Sequence, residues 1–306
     1  KVPPSKGATD LMMPYPNYLI PASLPELFQF ISSTKNSYLW IAGGTDLLLG
    51  IDQGRHPPAD TLIDLTRLPA FSGIQISDAQ LRIGACATIT EVASHPMIRQ
   101  VFPALADAAA LIGGPQVRNC ATLGGNIAHA LPAADGAMAL TALDARLEIV
   151  TSSSTRSVPI ETLFAGPGKN TLQNDEVISA ILLNMPQPGS GSAFQRIMRP
   201  QGVALPILNT AVWLNRTEDR LTEIHIAIGP SGTTPHRARE LEAQLCGVPF
   251  DQISPGYIQE LTDGLIHFRT SPQRATAGYR SAILPNLLFN TIQAAWKRSL
   301  NGVSND

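Results

Sequence analysis

The chain has 306 residues, 22 of them Lys or Arg and 24 Asp or Glu, so that 15% are charged, 44% are hydrophobic and the net charge is −2. Soluble domains carry about 25% charged residues, so a chain this poor in charge either packs tightly or hides surface against partners. The balanced charge leaves no electrostatic footprint for nucleic acid, and no run approaches the roughly 18 apolar residues of a membrane span.

A helix is expected over residues 23–32, opened by Ser23 and carrying Leu24, Leu27, Phe28 and Ile31 at helical spacing. The apolar run Tyr38-Leu39-Trp40-Ile41 then meets Ala42-Gly43-Gly44-Thr45-Asp46-Leu47, which reads as strand, tight turn and short helix. Thr61-Leu62-Ile63-Asp64-Leu65 is a short strand, and residues 73–84 form a hairpin about Asp78-Ala79. Thr88-Ile89-Thr90-Glu91 has capping-box spacing, and alanine-rich residues 102–112 form a helix stopped by Gly113-Gly114-Pro115. A second glycine cluster, Thr122-Leu123-Gly124-Gly125-Asn126, leads through Pro132 and Asp135 into a helix over 134–143. A hairpin pairs 146–150 with 155–159, residues 166–169 are a loop, and 176–185 form a strand. Pro186-Gln187-Pro188-Gly189-Ser190-Gly191 is the best candidate hinge. Strands over 193–198, 207–214 and 221–229 follow, then helices from Pro235, from Ser254 and over 274–297. That order predicts an α+β protein of two parts, the second a small antiparallel sheet covered by helices on one face.

Cys86, Cys120 and Cys246 are scattered. A cluster or structural zinc site needs about four close-set ligands, so no metal centre is expected on this chain. Residues 1–10 lack the apolar core of a secretory signal, which points to a cytoplasmic protein.

Backbone N–H groups at a glycine-rich turn can converge on an anion, because no side chain keeps a diphosphate away. Two such turns could clamp one diphosphate from both sides. Neither is G-x-G-x-x-G and neither is followed by G-K-[ST], so a Rossmann site and a P-loop are poor readings. Thr45, Asp46, Thr122, Asn126 and Asp135 suit hydrogen bonds to phosphate, ribose or ribityl groups. They equally suit local work, with Thr45 and Asp46 capping a helix and Asn126 holding a loop.

Together these segments resemble the flavin subunits of the molybdenum hydroxylases. The likeness runs from Ala42-Gly43-Gly44-Thr45-Asp46-Leu47 through Pro115-Gln116-Val117-Arg118-Asn119 and Thr122-Leu123-Gly124-Gly125-Asn126 to Asp135. It continues in Phe164-Ala165-Gly166-Pro167-Gly168-Lys169, Gly229-Pro230-Ser231-Gly232-Thr233-Thr234-Pro235-His236-Arg237-Ala238 and Arg274-Ala275-Thr276-Ala277-Gly278-Tyr279-Arg280, covering nearly the whole chain in the family's order. The resemblance implies a vanillyl-alcohol-oxidase-type (PCMH) FAD-binding domain over 11–187, in subdomains of about 11–66 and 67–187. A C-terminal α+β domain over 192–300, like that of the carbon monoxide dehydrogenase flavoprotein, would follow.

The same resemblance implies noncovalent FAD on this chain, with molybdopterin on a large partner subunit and two iron–sulfur clusters on a small one, assembled as a dimer of heterotrimers. Electrons would pass from the clusters through FAD to an acceptor such as NAD or a quinone. By position, Trp40, Ile41, Ala42, Gly43, Gly44, Thr45, Asp46 and Leu47 would hold the diphosphate and adjoining sugar with Thr122, Leu123, Gly124, Gly125 and Asn126. Asp135 would accept from a flavin hydroxyl, Arg118 would lie against phosphate or tie down its loop, and Ile178 would touch FAD. Gln195 falls where the family often has a lysine, which binds a flavin electrostatically as glutamine cannot; Phe194 is a candidate ring neighbour. This departure keeps a flavin-free structural or assembly subunit as the rival reading. A free-standing flavin oxidase is disfavoured by the absence of an acid/base cluster.

His129 reads as a polar residue over the cofactor, and Cys120 as a small buried one. Arg196 and Arg199 read as solvated charges or as groups facing an acceptor. His225, His236, His267, Arg237 and Arg239 are assigned to structure or subunit contact.

Overall fold

The computed structural model describes residues 15, 17–57, 59–199, 205–272 and 274–300; the expected domain start at 11 and residues 1–10 lie outside them. A three-stranded parallel sheet comes first, from β1 (Asn17–Leu19), β2 (Tyr38–Ile41) and β3 (Thr61–Asp64) in the order β1-β3-β2. Helix α1 (Leu24–Ser33) connects β1 to β2, and the Ser23 hydroxyl accepts from the Glu26 N–H as its cap. The central β3 is apolar because both its faces are covered. Ile63 packs under Leu27 and Phe28 of α1, and Leu62 under Ile41 and the short helix α2 (Leu47–Asp52). Sequence reasoning passed over β1, whose three residues pair only with a strand more than forty positions away.

A five-stranded antiparallel sheet follows, in the order β4-β5-β10-β6-β7. The hairpins β4 (Ile74–Ile76) with β5 (Gln80–Gly84) and β6 (Arg146–Val150) with β7 (Thr155–Pro159) flank β10 (Val177–Asn184). Between β5 and β6 the chain makes α3 (Ile89–Ser94), α4 (Pro96–Val101), α5 (Pro103–Leu111), α6 (Pro115–Arg118), α7 (Leu123–Ala128) and α8 (Asp135–Ala142). The capping box at Thr88 and Glu91 is complete. Helix α8 is buried on every side, which explains why six of its eight residues are apolar. The expected loop at 166–169 is the tip of a small hairpin of β8 (Phe164–Gly166) and β9 (Lys169–Asn170).

The last sheet is the meander β11 (Ser190–Met198), β12 (Pro206–Thr217) and β13 (Arg220–Gly229). Helices α9 (Arg239–Leu245), α10 (Pro255–Thr262) and α11 (Ala277–Leu300) complete this part. The helix expected from Pro235 starts at Arg239, because Arg237 first bridges to Ala227 as an extended edge.

The sheet is covered on both faces, not one. Ala193, Val212 and Ile226 pack under α11, whereas the cross-strand row Phe194–Ala211–Ala227 joins the core of α5 and α8. Period-2 alternation thus makes one sheet serve two cores. Arg298 of α11 reinforces the join, donating to Asp107 of α5 at 2.6 Å and to the Ser192 carbonyl at 2.9 Å. The Pro186–Gly191 link therefore connects two parts that share packed side chains, which is not the arrangement of a free hinge. Gly191 is part of the fit: a Cβ there would stand 2.1 Å from the Ala295 carbonyl oxygen.

Candidate functional site

The first glycine turn is delivered by β2 and received by α2. Trp40 lies edge-on to Tyr38 at 5.2 Å, and Ile41 and Leu47 pack with Leu62; these three position the turn. Gly44 has φ +69°, a left-handed conformation that favours glycine. Among the described residues, the N–H groups of Gly43, Gly44, Thr45 and Asp46 make no hydrogen bond within the chain. Four consecutive donors are thus left for a ligand or water, which is the makings of an anion nest.

The second turn is built differently from the expectation that both would present free donors. Its glycines lie in the first turn of α7, and the N–H groups there are engaged. Leu123 donates to Ala87 at 3.0 Å, Gly124 to Ala85 at 2.8 Å, Gly125 to the Thr122 hydroxyl at 3.1 Å, and Asn126 to the Thr122 carbonyl at 3.0 Å. Gly124 is needed for approach, since a Cβ would lie 2.6 Å from that of Ala85. The Asn126 side-chain oxygen is buried without a hydrogen-bond partner beside Gly136, where a Cβ would stand 2.6 Å from it, so the bare glycine leaves it room.

The two turns nonetheless meet. A Cβ on Gly43 would fall 2.2 Å from the Cys120 carbonyl oxygen and 2.7 Å from Ala121 Cα. A cleft of about 480 Å³ opens at that contact, lined by Ala42, Gly43, Thr88, Asn119, Cys120 and Thr122, with Asp64, Thr66 and Gly73 also on its walls. The contributions of Thr88 and Asp64 were not foreseen. They come from the cap of α3 and the end of β3, whose sequences announce only secondary structure.

Asp46 does not cap α2; its carboxylate lies 3.4 Å from Nδ1 of His129 at the end of α7. This contact ties the two turns together. The hydrogen bond from His129 holds the Asp46 carboxyl below its ordinary 3.8, against the upward push of partial burial. Stability from this carboxylate is therefore complete above 3.8 and is lost as pH falls through the lower folded value.

Other expected contacts lie elsewhere. Arg118 donates to the carbonyls of Ile112 at 3.1 Å and Gly113 at 2.7 Å, so it ties down its loop. Ile178 is a buried core residue paired with Ile149, and Phe194 is likewise core, 3% exposed, not an open ring neighbour. Gln195 pairs in register with Thr210, whose hydroxyl meets that of Thr291 on α11. It therefore sits on the α11 face of the sheet, and Arg196 sits on the opposite face. Arg196 is not solvated: its guanidinium forms an ion pair with Asp135, the two side chains 7% and 5% exposed. Asn209 donates to the other Asp135 oxygen at 2.8 Å and to the Ala133 carbonyl at 3.2 Å. Burial pushes the Asp135 carboxyl up, against the lowering pull of Arg196 and Asn209.

Cys120 is exposed, contrary to expectation, and Cys86 on the same cleft is half-buried. Burial, with a smaller push from Asp64, raises the Cys86 thiol to about 12, so it stays protonated at neutral pH. Iodoacetamide at pH 8 is expected to label Cys120 and Cys246 and to spare Cys86. A ligand filling the cleft should slow labelling of Cys120 at least tenfold and leave Cys246 unchanged, as read by peptide mass mapping. Among the described residues no three His, Cys, Asp or Glu side chains gather as a metal site, and no helix is long and apolar enough to cross a membrane.

Residues 12–186 match the family model of the FAD binding domain in molybdopterin dehydrogenase, and residues 192–295 that of the CO dehydrogenase flavoprotein C-terminal domain. The chain is 32% identical to the nicotinate dehydrogenase FAD-subunit of Eubacterium barkeri, over 68% of this chain and 72% of that protein. It is 29% identical to the xanthine dehydrogenase FAD-binding subunit of Escherichia coli O157:H7, over 93% and 97%. Among solved structures, a chain of the carbon monoxide dehydrogenase of Hydrogenophaga pseudoflava superposes with a TM-score of 0.85 at 27% identity, covering 93% of this chain and 98% of that one.

Proposed function

The chain belongs to the family of FAD-binding subunits of molybdopterin dehydrogenases, oxidoreductase components of multi-subunit complexes, and we propose that it relays electrons from the iron–sulfur clusters of a small partner subunit to an acceptor such as NAD or a quinone. A molybdopterin-bearing large subunit would oxidise the substrate, in a dimer of heterotrimers working in the cytoplasm. The observation that carries this reading is the contact of the two glycine turns around one cleft, with four unengaged N–H groups on the first.

The residues present fit a flavin dinucleotide. Gly43 and Gly44 leave the backbone bare, the consecutive N–H groups suit a diphosphate, and the Asn119 side chain on the cleft suits the hydroxyls of a ribose or ribityl chain. FAD supplies one- and two-electron redox chemistry when bound, and the protein binds, orients and shields it. In this proposal Gly43 to Asp46 donate, and the second turn, Thr122 to Asn126, forms a rigid wall fixed to β5 and α3. Asp46 and His129 latch the two. Asp135, Arg118, Ile178, Trp40, Ile41, Leu47 and Leu123 set the positions of these groups from behind. Domain boundaries at 187 and 192 go with the same proposal.

The feature that favoured a flavin-free subunit was Gln195. It sits on the α11 face of the sheet, away from Asp135 and α8, and the flavin content of the purified protein decides between the two readings. The purified protein is expected to be yellow, with about one FAD per chain, released by acid precipitation because it is not covalently attached. It should copurify with a molybdopterin protein and a two-cluster iron–sulfur protein. A colourless chain that binds no added FAD would sink the reading.

A further inference from the structure

A second cavity, of about 300 Å³, opens where the two parts of the chain meet. It lies between residues 131–134 after α7, residues 230–232 after β13, and a wall drawn from residues 267–280; it shares no lining residue with the glycine-turn cleft. Its titratable lining is His267, Arg269, Arg274 and Arg280, and no Asp or Glu is among the described residues around it.

Arg280 is the unusual member, at 2% exposure. Its guanidinium donates only to backbone, from Nε to the Ile207 carbonyl at 2.9 Å and from Nη1 to the Arg269 carbonyl. Among the described residues, Arg269, Arg274 and Arg280 have no carboxylate within 4.0 Å. Arg199 adds a further cation nearby, donating to the Arg274 carbonyl at 3.3 Å. Burial, and then the positive charge of Arg274, hold the Arg280 guanidinium below its ordinary value.

A charge removed from water is ordinarily paired, because an isolated one costs several kcal/mol. Elsewhere this protein follows the rule: Arg196 has Asp135, Arg237 has Glu242 and Arg298 has Asp107. At the second cavity Arg280 is buried and Arg274 half-buried with no carboxylate beside them among the described residues, while Arg269, also on the lining, is exposed. Guanidinium groups match the planar and tetrahedral oxyanions in particular. The volume is at the small end of ligand pockets, which run from about 300 Å³, and exceeds what a bare ion needs. We propose that this cavity binds the oxyanion group, phosphate or carboxylate, of a small organic molecule, with Arg269 and Arg274 as its ligands and buried Arg280 as a fixed positive charge.

The test is calorimetric titration of the full chain with inorganic phosphate and with malonate at constant ionic strength, in FAD-free and FAD-loaded forms. Saturable one-site binding of either probe is expected in both forms, with the same affinity. Arg274→Ala and Arg269→Ala should each weaken it at least tenfold, while Arg99→Ala on α4 leaves it unchanged. Absence of saturable binding, or binding that neither cavity substitution alters, would overturn the proposal. Binding abolished by FAD would overturn it too, by making the cavity part of the flavin's own site. If the chain takes up no FAD at all, the titration of the free form still decides this question separately from the flavin assignment.

Discussion

Gly43→Ala is expected to weaken FAD binding by at least about 100-fold, equivalent to about 2.7 kcal/mol, and to yield a colourless protein after gel filtration. The added methyl would stand 2.2 Å from the Cys120 carbonyl oxygen and 2.7 Å from Ala121 Cα. Both are backbone atoms. Cys120 and Ala121 run directly into α7, whose first turn is fastened to Ala85 and Ala87, so neither can swing aside as a flexible side chain would. The first turn must therefore move away, carrying its free N–H groups out of register with the wall that faces them. Gly44→Ala acts by another route. A non-glycine residue at φ +69° costs about 1–2 kcal/mol, and relaxing that strain turns the Gly44–Thr45 peptide. Gly278→Ala, on the exposed first turn of α11 with nothing within 4 Å, is the control that should keep its flavin. Fluorescence titration with FAD, alongside thermal melts to show that the variants fold, measures all three. Undiminished affinity in Gly43→Ala would mean that the contact between the turns is not part of the flavin site.

The two glycine turns were legible because a close backbone approach requires glycine, and the motif around them is long and ordered. Their division of labour was not legible. Whether an N–H is free depends on what lies opposite it, and the partners of the second turn, Ala85 and Ala87, are alanines nearly forty residues earlier. Helices announced by caps, such as those opened by Ser23, Thr88 and Ser254, lie where the local chemistry put them. Position 195 shows the opposite case. Alternation along a strand is a local rule, but which parity faces the flavin part was decided by α8 and α11, elements on either side of the sheet. Arg196 therefore looked like a solvated charge in sequence, although the fold buries it against Asp135, sixty-one positions before it.

That buried pair makes the second strong expectation: Arg196→Met should destabilise the protein by about 3–5 kcal/mol, the usual cost of leaving one member of a buried ion pair alone. The pair joins β11 to the start of α8, and Asn209 of β12 completes it, so the loss falls on the join between the two parts. Burial outweighs the pull of Arg196 and Asn209 on the Asp135 carboxyl, so their attraction does not offset the cost of burying the carboxylate. Replacing both charges should accordingly restore most of what the single change loses, and Arg196→Met/Asp135→Asn is expected to be markedly more stable than Arg196→Met. Such non-additivity is the signature of direct contact. The pH dependence has a definite sign. Without Arg196 the folded carboxyl rises further above its ordinary 3.8, so between those two values the folded state holds more protons than the unfolded one, and stability falls as pH rises. The deficit of Arg196→Met should thus be smallest near pH 4 and grow toward pH 7, while the double variant shows no such trend. Urea denaturation across that range measures it. A deficit independent of pH, or a double variant no better than the single, would place the contribution of Arg196 in packing and not in its charge.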